Sequence, residues 1–111
     1  MKIEGEAKRV MIFVGESDRW HHQPLYEAIV EMLRTEGCAG ATVLRGIEGF
    51  GAASRIHTAN ILRMSEDLPV LIIFIDKPER VDAVMPKLDE MVSEGLMVIE
   101  DVHVVKYADG R

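Results

Sequence analysis

Between residues 45 and 58 the chain gathers glycines, a cation, a hydroxyl and an imidazole: Gly46, Gly49, Gly51, Ser54, Arg55 and His57. Glycine permits close backbone approach and positive φ, so a loop of this kind can wrap a ligand or a partner. The N–H groups of Gly49–Phe50–Gly51 together with the Arg55 guanidinium suit an anion such as phosphate. The same residues also make a tight turn beside a solvated arginine, and a short glycine pair does not choose between the two. Ser54 and His57 lack a third member, so the spacing does not support a hydrolytic triad.

Other reactive residue types are scattered. His21, His22, His57 and His103 are metal-ligand types, but a transition-metal site needs three or four convergent ligands, and adjacent histidines diverge on most backbones. No metal is expected. His57 reads as a loop hydrogen-bonder and His103 as a surface or intersubunit residue. Glu16, Asp18, Glu27 and Glu31 belong to an acidic, solvated surface, with no nucleophile or apolar pocket paired to them. Trp20 either stacks on a planar ligand or a partner, or packs across the first helix's entry or a subunit seam. Cys38 follows a helix C-terminus, where the dipole disfavours a thiolate, and reads as a packing residue. No catalytic residue is expected, and the chain does not read as an enzyme.

The elements that must position these residues follow from hydrophobic patterning. The 111 residues are 48% hydrophobic and 29% charged, which predicts one globular domain over residues 1–111. A net charge of −6 disfavours a broad nucleic-acid surface. The single cysteine excludes an internal disulfide and fits a reducing compartment. The first residues lack an apolar signal core, and the longest apolar run, residues 68–75, is too short for a bilayer. A cytoplasmic protein without membrane insertion is the expectation.

Residues 1–7 read as a frayed lead-in, and residues 8–15 as the first strand. Residues 16–24 form a connector. A helix then opens at Pro24 and stops at Gly37, with Leu25, Ala28, Ile29, Met32 and Leu33 as its buried stripe. Residues 41–48 read as the second strand, with Gly46 marking a bulge or a close approach. Residues 49–64 form a long loop, with a helical turn across 58–63. Residues 68–75 are the third strand. A second helix runs from Pro78 to about residue 94, kinked by Pro86. Gly95 caps it, and residues 97–107 are the fourth strand. The order βαββαβ predicts a ferredoxin-like α+β sandwich, a four-stranded antiparallel sheet with two helices on one face. Two helices cannot cover both faces. Strands one and three are nevertheless apolar on both, so a second copy of the chain is the expected cover.

Gly49–Phe50–Gly51 at the end of the second strand resembles the element that launches the long T-loop of the PII signal-transduction proteins. The resemblance is closer to an uncharacterised PII-like family. Its Pro-Leu-Tyr-x-Ala-Ile-Val is similar to residues 24–30, and its Ala-Gly-Ala-Thr-Val to residues 39–43. Arg45–Gly46–Ile47 and Ile56–His57–Thr58 follow. The likeness runs from Val10 to Tyr107. It implies a homotrimer that binds an adenine nucleotide (ATP, ADP or AMP) at the subunit seam. Gly49, Phe50, Gly51 and Arg55 would shape the site from one side, and Thr42 and Lys106 from the other. A mobile loop over about residues 50–63 would dock on a transporter or enzyme. The chain departs from PII proteins after the second helix, where Ser93–Glu94–Gly95–Leu96 replaces a longer glycine- and lysine-bearing loop. Lys106 alone stands near the position of paired C-terminal arginines, and the loop lacks the tyrosine that many PII proteins have modified. An interaction module with no small ligand remains the alternative.

Overall fold

The computed structural model describes residues 2–51, 56–58 (backbone) and 68–109. Four strands make the main sheet: β1 (Lys2–Gly15), β4 (Thr42–Arg45), β7 (Pro69–Asp76) and β8 (Leu96–Ala108), in the order β4-β7-β1-β8 with antiparallel neighbours. Helices α1 (Leu25–Thr35) and α2 (Pro78–Met91) cover one face. Alternation decides which strand residues meet them. Val10, Ile12 and Val14 of β1 and Val70, Ile72 and Phe74 of β7 are buried in one cluster with Leu25, Ile29, Leu33, Val81, Val84 and Leu88 from the helices. This is the ferredoxin-like sandwich that the element order predicts.

Directly opposed residues of neighbouring strands share a face, so the register fixes the composition of the second face. One transverse row runs Leu44–Leu71–Phe13–Leu96 and the next Thr42–Ile73–Met11–Val98, each crossing all four strands. The third row is Ile75–Arg9–Glu100, in which Nε and Nη2 of Arg9 donate to one Glu100 carboxylate oxygen at 3.0 and 2.8 Å. Leu44 and Leu96 are more than half exposed, at 51% and 55%. The surplus of apolar strand positions therefore lies on a face that neither helix reaches.

Several boundaries differ from the expectation. Residues 2–7 are not frayed: they continue β1, paired with β8 as far as Lys2 opposite Ala108, and Ile3 and Ala7 are buried. Their ladder partner lies about a hundred positions away, beyond the reach of local pattern. The connector after β1 holds a small hairpin, β2 (Arg19–Trp20) and β3 (Gln23–Pro24). Its two turn residues, His21 and His22, have φ of 46° and 72°, the signs of a type I′ turn. The hairpin sets Trp20 against the core, with the His21 ring edge-on to it at 4.4 Å. Trp20 thus seals the approach to α1.

Inside the long loop, β5 (Glu48–Phe50) pairs with β6 (Ile56–Thr58) as a separate ribbon. Thr58 belongs to that ribbon, and the remainder of the predicted helical turn lies outside the described residues. α2 continues through Pro86. Asp82, whose carbonyl loses its helical partner there, is exposed. Val92, and not Gly95, closes the helix.

Candidate functional site

A cavity of about 420 Å³ opens on the uncovered side of the sheet, where three segments converge. The α1–β4 connection supplies Ala39, Gly40, Ala41 and Thr42, and β7 supplies Ile73 to Ile75. Ile3, Val104, Lys106 and Tyr107 come from the far part of the β1–β8 pair. The volume falls within the range of sites for small organic ligands, roughly 300–1,000 Å³. Its walls are mainly aliphatic, and Lys106 is the charged side chain that lines it.

Two hydrogen bonds shape the wall at Ala39. Its N–H donates to the buried Asp76 carboxylate at 2.9 Å, and its carbonyl accepts from the Tyr107 hydroxyl at 3.2 Å. Asp76 also accepts the N–H of Lys77 at 2.8 Å. A carboxylate that is 2% exposed is thereby satisfied by backbone donors.

The β7 edge adds a pair of backbone groups that sequence reasoning missed. Gly46 N–H donates to the Pro69 carbonyl at 2.7 Å, which fixes the phase of the β4–β7 ladder. In antiparallel pairing the bonded positions alternate. The next bonded pair after Thr42–Ile73 would be Gly40–Ile75, but the ladder ends at Thr42. The N–H and carbonyl of Ile75 therefore face the cavity with no ladder partner among the described residues. One donor and one acceptor side by side suit the edge of a heterocycle. The signal depends on where β4 begins, which composition does not reveal.

The expected site residues fall into two groups. Thr42 and Lys106 line the cavity together. Gly49 and Phe50 belong to β5, and Gly49 pairs with His57. Gly51 follows directly, and Arg55 lies outside the described residues. Within one chain the groups are separated. Thr42 stands opposite Ile73, whereas Gly49 packs at Pro69, four residues or roughly 13 Å along β7. Gly46 is the close approach that its position suggests: a Cβ there would lie 2.6 Å from the Pro69 ring. The Arg45–Glu16 ion pair ties the same corner to the end of β1. Phe50 and Ile47 are 77% and 78% exposed, so the ribbon offers apolar side chains to solvent.

Among the described residues, no three His, Cys, Asp or Glu side chains converge as a metal site, and no helix is long and apolar enough to cross a membrane. Cys38 is half-buried against the core. Burial foremost, then the Asp76 carboxylate, push its thiol above the ordinary range, with Arg80 opposing and Glu36 adding. Alkylation by iodoacetamide is expected to stay well below the rate of a free cysteine up to pH 9, because the thiolate is the nucleophile. Following the adduct by mass spectrometry across pH checks this. Rapid labelling at pH 7 would contradict it.

Residues 7–104 match the family DUF190, described as uncharacterized ACR. The chain belongs to the DUF190 family. Among curated relatives of this DUF190 chain, UPF0166 protein MJ1524 of Methanocaldococcus jannaschii is 38% identical over 102 residues, covering 91% of this chain and 94% of the relative. A UPF0166 protein of Aquifex aeolicus is 30% identical over 100 residues, covering 90% and 94%. Solved structures show that the DUF190 fold is PII-like. CPII, a nitrogen regulatory PII-like protein from Thiomonas intermedia K12 bound to ADP, AMP and bicarbonate, superposes with a TM-score of 0.65 at 17% identity, covering 89% of this chain and 94% of that one. CutA from Synechococcus elongatus PCC7942 gives 0.59 at 11% identity, covering 96% and 85%.

Proposed function

We propose that this DUF190 protein is a PII-like regulatory protein that binds an adenine nucleotide in the Thr42–Lys106 cavity. The observation that carries the reading is the cavity itself. A backbone donor and acceptor at Ile75, without a ladder partner among the described residues, stand between aliphatic walls that also carry Lys106. The Ile75 carbonyl suits the amino group of adenine and its N–H a ring nitrogen, while Lys106 suits phosphate. That CPII was solved with ADP and AMP agrees with this assignment.

In this reading the protein is a homotrimer. The two apolar rows that cross the uncovered face are shielded by sister chains, and Gly49–Phe50–Gly51 and Arg55 of one copy complete the cavity of the next. Ligand at that seam orders the loop over about residues 50–63, which docks on a transporter or enzyme. Calorimetry and thermal shift with ATP, ADP and AMP test the nucleotide part. At a hundredfold excess over Kd the ligand should add about 2.7 kcal/mol of stability. No heat and no shift with any of the three defeats it.

The assembly is tested separately by Leu71→Asp, at the centre of the first row. An uncompensated carboxylate under the sister chain is expensive, yet Leu71 is only half-buried within one chain, so the monomer should still fold. Light scattering is expected to report a monomer, and ADP binding should fall with the lost seam. An unchanged oligomer, or a wild-type monomer at micromolar concentration, removes the trimer.

The exposure of Phe50 and Ile47 favours one second reading: the ribbon captures a protein partner with no nucleotide involved. Arg55→Ala would then alter partner capture while nucleotide titrations stay flat.

A further inference from the structure

The far part of the β1–β8 pair does not end where the sheet ends. β7 stops its pairing with β1 at Asp76 opposite Lys8, but residues 2–7 and 102–108 continue as a two-stranded ribbon. That ribbon reaches past the end of β7 to the α1–β4 connection, where Tyr107 meets Ala39. The register slips between Ile3 and Gly5, and a bulge of this kind bends a strand locally. Gly5 has φ of +85°, and nothing lies within 4 Å of a Cβ built on it. The glycine therefore serves a backbone conformation and not a packing contact. Beyond it, Ile3 is 2% exposed.

The ribbon carries a large share of the cavity wall. Ile3, Val104, Lys106 and Tyr107 all line the cavity, so one element supplies both an apolar wall and the cation. Among the described residues, its side-chain hydrogen bond to the rest of the chain is the neutral one from Tyr107 to Ala39. The receiving peptide is anchored on its other side by the buried Asp76 carboxylate. The latch thus has a fixed half, Asp76–Ala39, and a half mounted on a ribbon with a glycine bend.

We propose that the β1–β8 ribbon is a hinged cover over the cavity, latched by Tyr107 on Ala39, and that it closes over a bound adenine nucleotide. The ligand assignment rests on the nucleotide reading above; the hinge and the latch do not. Tyr107 is a positioning residue: it holds Lys106 and Ile3 against the ligand. Opening withdraws the cation and one wall together, so the latch governs how long a nucleotide stays more than how tightly it first docks.

The test is hydrogen exchange and stopped-flow binding on the wild type, Tyr107→Phe and Gly5→Ala. Tyr107→Phe removes one hydroxyl and keeps the ring; Gly5→Ala penalises the bend by a different route. In ligand-free protein, both variants are expected to speed amide exchange across residues 102–108 at least tenfold while leaving residues 70–75 unchanged. With a fluorescent ADP analogue, dissociation should accelerate about tenfold in both, with a smaller change in association. ADP itself should slow exchange in residues 102–108 of the wild type. If the wild type binds ADP but Tyr107→Phe keeps its dissociation rate and its exchange pattern, the cover is overturned and the nucleotide reading stands. If the wild type binds no adenine nucleotide, that reading falls. The ligand-free exchange then decides the latch: unchanged rates in both variants overturn it, and accelerated rates confined to the ribbon support it.

Discussion

Gly95→Ala is expected to lower stability by about 3 kcal/mol. Gly95 joins α2 to β8 with φ of +143°, and a Cβ there would lie 2.5 Å from the carbonyl oxygen of Phe13. Backbone strain at such a φ costs roughly 1–3 kcal/mol, and overpacking against an atom that cannot swing aside adds roughly 1–3. Phe13 is paired on both sides, with Leu71 and Leu96, so its carbonyl cannot retreat without disturbing the sheet. A loss of this size should lower Tm by roughly 12–24 °C in a domain of about 100 residues. Gly40→Ala is the control, because its Cβ meets nothing within 4 Å. Urea unfolding at one fixed protein concentration compares the two. Equal midpoints would refute the steric account.

Lys106→Glu is expected to weaken ADP binding on the order of 30-fold, equivalent to about 2 kcal/mol. The substitution removes a charge-assisted contact to phosphate and installs repulsion in its place. Lys106 is the charged side chain among the described cavity residues of one chain, so no second cation from that wall offsets the loss. The effect should depend on the phosphates: adenosine, which has none, should bind both proteins alike. Calorimetry at one ionic strength checks both ligands, since screening alters the charge contribution. Equal loss for ADP and adenosine would indicate damage to the cavity and not the loss of a phosphate contact. No loss for either would remove Lys106 from the site.

The parts of the fold that were legible in the sequence are those fixed by short-range periodicity. Val10, Ile12 and Val14 alternate with Met11 and Phe13, and both sets are apolar; the structure buries the first under the helices and leaves the second on the uncovered face. The stripe through Leu25, Ile29 and Leu33 needed nothing but helical spacing. Residues 2–7 were hidden because Lys-Ile-Glu-Gly-Glu looks solvated on its own and becomes strand through β8. The β2–β3 hairpin was hidden because histidines occupy turn positions where asparagine and glycine are the usual signal. Of the candidate site, Thr42 and Lys106 were named through family resemblance, since no spacing rule brings residues 42 and 106 together. Ile75 could not be named at all. Its role comes from main-chain groups that any residue carries, and from the point at which a neighbouring strand stops.

The pairing of Lys2 with Ala108 sets a condition on biosynthesis. β1 is translated before β8 and occupies the interior of the sheet, yet one flank stays bare until residues 96–108 have been translated. Contacts of such long span close late and slowly. Until then the nascent chain carries an unfinished interior strand, so it is β8 that completes the sheet and commits this fold to its native form.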